Sequence, residues 1–139
     1  MIKTKDVKFI SDALEYARKN RNSKGYTIVA YLVQGKRIVS VGVNDYKKTH
    51  AKTPQIHKYV IPGHSEIKCL AKYLVKGRRI SSDMTLYVVG LTQAKIPNPV
   101  ISSKPCESCE NFIRSVGIPR VVYFENVEKF TIKEWRKEV

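Results

Sequence analysis

Pro62-Gly63-His64-Ser65-Glu66 and Pro105-Cys106-Glu107-Ser108-Cys109 are the two short stretches around which this chain of 139 residues is organised. The first sets H-x-E at the head of an apolar-periodic segment, and the second sets P-C-x-x-C at the head of another. Together they supply one imidazole, two thiols and one carboxylate, each pair opening its own predicted helix. Three nitrogen and sulfur ligands leave a fourth tetrahedral position of zinc open, which marks a catalytic rather than a structural site. The carboxylate two residues after the histidine is close enough to act on whatever fills that position. A lone C-x-x-C would be weak evidence. Two half-motifs, each entering a helix and separated by one strand, are hard to attribute to coincidence.

The pattern resembles the zinc deaminase signature, in which the glutamate carries protons and is not a ligand. On His64, Glu66, Pro105, Cys106 and Cys109, and over roughly residues 26–124, the chain is identified as a member of the cytidine deaminase superfamily. That superfamily takes in free cytidine and deoxycytidylate deaminases, tRNA adenosine deaminases and polynucleotide cytidine deaminases. The resemblance implies a three-layer α/β/α cytidine deaminase-like fold, with a central mixed sheet of four to five strands and helices on both faces. It implies Zn2+ on His64, Cys106 and Cys109, and Glu66 as the catalytic base and then acid of a hydrolytic deamination. Asn44 stands where the superfamily commonly has an asparagine contacting sugar or base, and an amide offers both a donor and an acceptor. An ordinary turn asparagine is the bland alternative, less favoured beside the zinc motifs. Ser65 occupies a position that is often alanine, where the backbone N–H touches the base. Lys104, just ahead of Pro105-Cys106, is the third candidate substrate contact.

Length and composition fit one domain over residues 1–139, with 42% hydrophobic and 27% charged residues as in an ordinary globular protein. No apolar run approaches a membrane span, and the N-terminal residues do not lead into a signal-peptide core. Three cysteines, two of them better explained as zinc ligands than as a disulfide, point to a reducing, cytoplasmic setting. The net charge of +14 is the one unusual number. Residues 106–139 hold six basic and six acidic side chains, so the whole excess lies in residues 1–104. So lopsided a field favours an anionic partner over a merely solvated surface.

Taken in order, residues 5–20 set Val7, Ile10, Leu14 and Ala17 on one stripe, as an amphipathic helix does. Residues 26–33 and 37–43 read as a hairpin around Gln34-Gly35-Lys36, with Val39, Val41 and Val43 on one face. Residues 44–63 form a long connection whose lysines and tyrosines fit either phosphate and base contacts or a solvated loop, two readings that stand level. His50 and His57 there read as surface or substrate contacts rather than a second metal site. A helix from Gly63 to about Lys76 carries Ile67, Leu70, Ala71 and Leu74 inward, with His64 and Glu66 in its first turn. Lys68, Lys72 and Lys76 form a basic stripe that Arg78 and Arg79 extend. Cys69 beside the core stripe is an inert thiol.

Met84 to Val89 is a continuous apolar strand, and strand, helix, strand in that order implies a parallel crossover. Residues 91–104 are an insertion relative to the superfamily. Pro105 suits the first turn of the next helix, whose inward side chains are Phe112, Ile113 and Val116 and which Gly117 ends. A strand over residues 120–124 follows. Only 15 residues remain after Phe124, too few for a crossover, so any further strand must return as an antiparallel hairpin. The tRNA and deoxycytidylate branches typically have a parallel strand there.

The leading functional reading is zinc-dependent deamination of cytosine in a (deoxy)cytidine nucleotide, giving the uracil product and ammonia. Behind it stands a deaminase acting on cytosine or adenine in single-stranded nucleic acid, which the charge supports. A non-catalytic zinc module that binds nucleic acid is a third reading, opposed by Glu66, since a structural zinc needs no carboxylate there. A homo-oligomer is left open by the resemblance.

Overall fold

Met84–Leu91 is the spine of the molecule, a strand (β3) with all eight residues buried. The computed structural model describes residues 2–21, 26–44, 64–92, 100–126 and 131–137. Before β3 come helix α1 (Thr4–Lys19), strands β1 (Thr27–Gln34) and β2 (Arg37–Val43), and helix α2 (Ser65–Val75). After it come β4 (Val100–Ile101), helix α3 (Glu107–Val116), β5 (Arg120–Asn126) and β6 (Thr131–Arg136). The long connection before His64, with its lysines, tyrosines, His50 and His57, lies outside the described residues, as does the middle of the insertion.

The sheet runs β2-β1-β3-β5-β6, with β4 paired to the end of β3. It is mixed: β1 is antiparallel to β2 and β3, β3 is parallel to β5, and β5 is antiparallel to β6. Since β2 and β3 both oppose β1, they run parallel to each other with β1 between them, so α2 is the expected crossover but skips a strand. The two-residue β4, drawn from the insertion, adds a sixth strand that the sequence pattern does not show. The last strand returns antiparallel, as the short tail requires.

Strand alternation sends β1 and β3 side chains to opposite faces. Val29, Tyr31, Val33, Tyr87, Val89 and Leu91 meet Phe9, Ile10, Ala13 and Ala17 of α1. Ala30, Leu32, Leu86 and Val88 meet Cys69, Leu70 and Tyr73 of α2 and Ile113 of α3. One helix therefore covers one face and two helices the other, which is the expected α/β/α sandwich.

Three local expectations shift. In α1 the inward face is Asp6, Phe9, Ile10, Ala13 and Ala17, while Val7 is half exposed. The helix is rotated because Asp6 is drawn inward by an ion pair. In β2 the register slips between Leu32 and Val33, leaving Val39 as an extra residue. A bulge of this kind reverses the alternation, so Ile38, Val41 and Val43 share the α1 face while Val39 joins the other. In α2, Cys69 and Tyr73 are buried, whereas Ala71 and Leu74 are only half-buried.

The ion pair is the main polar tie. Arg120 Nη1 and Nη2 donate to Asp6 Oδ1 and Oδ2 at 2.8 and 2.7 Å, and Tyr87 Oη donates to Oδ1. Arg120 Nε reaches Glu134 Oε2 at 2.5 Å. Burial pushes the Asp6 carboxyl up, but the Arg120 and Tyr87 bonds and the Lys3 N–H outweigh it and hold it well below the usual carboxylate range. Four elements (α1, β3, β5 and β6) are thus joined through one buried guanidinium.

Candidate active site at two helix heads

His64 and Cys106 are the N-caps of α2 and α3, both in extended backbone conformation. The helices therefore begin two residues later than the readings from Gly63 and Pro105, at Ser65 and Glu107, and Pro105 lies just outside α3 rather than in its first turn. An N-cap residue keeps its side chain at the mouth of the helix, and the N3 residue faces back toward it. Cys109 occupies N3 of α3, so the i, i+3 spacing brings both thiols to one point. The His64 Nδ1 atom lies 3.1 Å from Cys109 Sγ and 3.6 Å from Cys106 Sγ, and the three ligand atoms all fall within 4.8 Å of one another. Tetrahedral zinc with ordinary Zn–N and Zn–S bonds needs edges of about 3.6 to 3.8 Å. The donor set fits that ion in type, and its three atoms lie close enough together to share one ion.

The electrostatics agree. Bonds from the Cys109 thiol and the His64 ring pull the Cys106 thiol down to about 3, leaving a thiolate ready to bind a cation. The bond to Cys106 and burial push the Cys109 thiol up. His64 is raised, chiefly by its contact with Cys106. The three groups thus interact directly, and the Cys109 thiol meets Glu66 as well.

Glu66 sits in the first turn of α2, buried beside this cluster. Burial raises its carboxyl, and the Ser65 hydroxyl, donating to Oε1 at 2.7 Å, opposes the rise. A buried carboxylate with a raised pKa is suited to taking up and giving back a proton near neutral pH.

The head of α2 is held against the sheet by a missing side chain. A Cβ on Gly42 would lie 2.2 Å from the Ser65 carbonyl oxygen and 2.6 Å from the Cys69 nitrogen. Only glycine lets β2 approach the turn that carries His64 and Glu66 so closely. Gly42 thus lies inside β2 and does not end it.

The head of α3 is held by Ser103. Its Oγ donates to the Val88 carbonyl at 2.6 Å and accepts the Phe124 N–H at 2.9 Å, while its own N–H bonds the Phe124 carbonyl. It fills the fork where the parallel β3–β5 ladder ends, three residues before Cys106. Sequence reasoning passes over it; a serine pair in a segment leading to a metal-binding cysteine is a signal too faint to read alone.

An open cleft of about 450 Å³ lies in front of the cluster. It is lined by His64, Ser65, Glu66 and Cys106, and by Asn44 and Lys104, so all the sequence candidates but buried Cys109 border it. Tyr26, Ile28, Ser102 and Ser103 line it as well and were not singled out by sequence. Asn44 Oδ1 accepts the Ile28 N–H at 2.8 Å and its Nδ2 donates to the Tyr26 carbonyl at 3.2 Å. Its amide therefore holds the first residues of β1 in place at the cleft wall. Tyr26, more than half exposed, stands at the mouth.

A family model for the cytidine and deoxycytidylate deaminase zinc-binding region matches residues 3–125. The chain belongs to this family. A comparison with curated proteins finds no relative. In this deaminase chain His64, Cys106 and Cys109 lie together as a group able to hold the zinc that the family's description names. No helix among the described residues is long and apolar enough to cross a membrane.

Proposed function

We propose that the chain is a single deaminase domain that hydrolytically removes the amino group of cytosine in a (deoxy)cytidine nucleotide. The products are the uracil compound and ammonia, and the setting is a reducing cytoplasm in which its thiols stay free. The observation that carries this is Glu66, buried beside the His64-Cys106-Cys109 cluster at the floor of an open cleft.

Zinc held by those three residues would supply the Lewis acidity that makes a water nucleophilic near neutral pH. Glu66 would accept one proton of that water as its oxygen bonds the amine-bearing carbon, and pass that proton to the ring nitrogen. It would then take the second proton from that oxygen and give it to the amine as the carbon–nitrogen bond breaks and ammonia leaves, so one carboxylate serves as base and then acid. The backbone N–H groups at the α2 head point toward the base, as unpaired helix N-terminal donors do. Asn44 and Lys104 would hold sugar and phosphate from the cleft wall, and Tyr26 would cover the base from the mouth.

Deamination of a cytosine within single-stranded nucleic acid is the second reading, favoured by the open mouth and the +14 charge. The antiparallel return of β6 opposes the tRNA and deoxycytidylate branches, so the nucleoside belongs among the substrates tried.

The deciding experiment is ammonia release by zinc-loaded protein offered cytidine, CMP, dCMP and a cytosine-bearing oligonucleotide in parallel. Monomer turnover is expected. Glu66→Gln should keep the zinc and lose about 10²- to 10⁴-fold in rate; near-normal turnover by that variant would sink the mechanism.

A further inference from the structure

We infer that the Ser65 hydroxyl is the positioning group for the Glu66 carboxylate, anchoring one of its oxygens so that the other keeps a fixed place for proton exchange. The inference rests on the reading of Glu66 as proton carrier. It adds a side-chain role for a residue whose backbone N–H was the expected contribution.

Ser65 Oγ donates to Glu66 Oε1 at 2.7 Å, and both residues are buried, Ser65 at 1% and Glu66 at 5% exposure. They are the first and second residues of α2. Successive residues of a helix point about 100° apart, so adjacent side chains do not ordinarily meet. The bond therefore requires the carboxylate to turn back toward its neighbour. A hydroxyl has one proton to give, and here it goes to the carboxylate. Burial keeps water from competing for it.

The serine itself stands on a fixed platform. Its carbonyl oxygen lies so close to Gly42 that a Cβ there would come within 2.2 Å of it. The His64 carbonyl accepts the Lys68 N–H at 3.0 Å and closes the first turn. Ile67 of the same turn is fully buried with Cys109 of α3.

A glutamate needs such an anchor, because its last side-chain torsion is broad and roughly two-fold. A proton carrier must meet an oxygen at one moment and a ring nitrogen at the next, and a misplacement of about 1 Å can cost about a hundredfold in rate. The Cys109 thiol also meets Glu66, but a metal-bound cysteine is a thiolate with no proton to offer. That leaves the Ser65 hydroxyl, among the described residues, as the side-chain donor on the carboxylate when the ion is bound.

The test is steady-state kinetics of zinc-loaded Ser65→Ala and Ser65→Thr, with Ser65→Ala also combined with Glu66→Gln, on the cytosine compound that the wild type turns over. Alanine keeps the backbone N–H and removes the hydroxyl, so kcat should fall about 10- to 100-fold with KM little changed. Threonine keeps the hydroxyl and should restore most of the rate. In the Glu66→Gln background Ser65→Ala should cost nothing further, because the group it positions has lost its function. A raised KM with kcat intact would make Ser65 a substrate contact, and equal rate losses in both backgrounds would make it a structural residue. Either result overturns the inference, as does loss of bound zinc in Ser65→Ala. A readout free of turnover is the carboxylate-carbon NMR resonance of Glu66 in zinc-loaded protein labelled at its glutamates, identified by its disappearance in Glu66→Gln. It should move in Ser65→Ala and stay near its wild-type position in Ser65→Thr; an unmoved resonance in Ser65→Ala also overturns the inference. A wild type that deaminates no cytosine compound would defeat the proposed reaction, while this resonance would still decide whether Ser65 anchors the carboxylate.

Discussion

On the α1 face, Asp6, Tyr87, Arg120 and Glu134 satisfy one another; on the α2–α3 face, His64, Cys106 and Cys109 converge at the heads of two helices. Both clusters tie together distant parts of the chain across the same sheet. The first is complete in the bare polypeptide, because an anion and a cation of matching geometry are both present. The second brings two thiols and an imidazole to one point, a donor set suited to a metal ion. The difference separates a cluster built for holding the fold from one built for holding an ion.

The largest effect should come from breaking the complete cluster. Arg120→Ala would strand the Asp6 carboxylate, 0% exposed, and cost about 3–5 kcal/mol by urea denaturation, as removal of one partner of a buried pair does. Zinc affinity of the protein that remains folded should be little changed, since the network does not touch the cluster.

Chelation tests the incomplete cluster. At free zinc one hundred times the dissociation constant the bound ion stabilises the fold by about 2.7 kcal/mol. Its removal should lower the thermal midpoint accordingly and abolish activity, both restored by adding zinc back. A midpoint indifferent to chelation would mean that the cluster holds no ion in solution.

Gly42→Ala is expected to cost about 1–3 kcal/mol, the range for overpacking. It should also lower kcat more than its stability loss explains, because the added Cβ must push the turn bearing His64 and Glu66. An unchanged kcat would show that β2 yields instead.

The smallest effect is in acid. The native Asp6 carboxyl lies below its unfolded value, so its contribution is present above the unfolded pKa of about 3.9 and is lost as pH falls below it. The wild-type midpoint should fall below about pH 4 more steeply than that of Asp6→Asn. Parallel curves would show that other carboxylates dominate.

Much of the site was legible in the sequence because its parts are local. H-x-E and P-C-x-x-C each act within one helix turn, where spacing dictates which side chains share a face. The two-residue error in the helix starts came from reading His64 and Cys106 as first-turn residues when both are caps. Asn44 was picked out for substrate contact, yet its amide is also bonded to the backbone of residues 26 and 28. Only the fold shows that backbone engagement.

The sequence by itself picked out the His64, Cys106 and Cys109 group that the fold brings together, Glu66 beside it, the alternation of strands with helices and the antiparallel return of the tail. Each rests on residue type and spacing over a few positions, or on chain length. Only the tertiary structure decided which way α1 faces, since Asp6 turns inward to meet a guanidinium 114 residues away. It also decided the bulge at Val39, the place of Ser103 in the β3–β5 fork and the close approach at Gly42. These depend on partners that no local pattern names: burial and hydrogen bonding act between segments, and a residue's preferred face is set by whatever lies opposite it after folding.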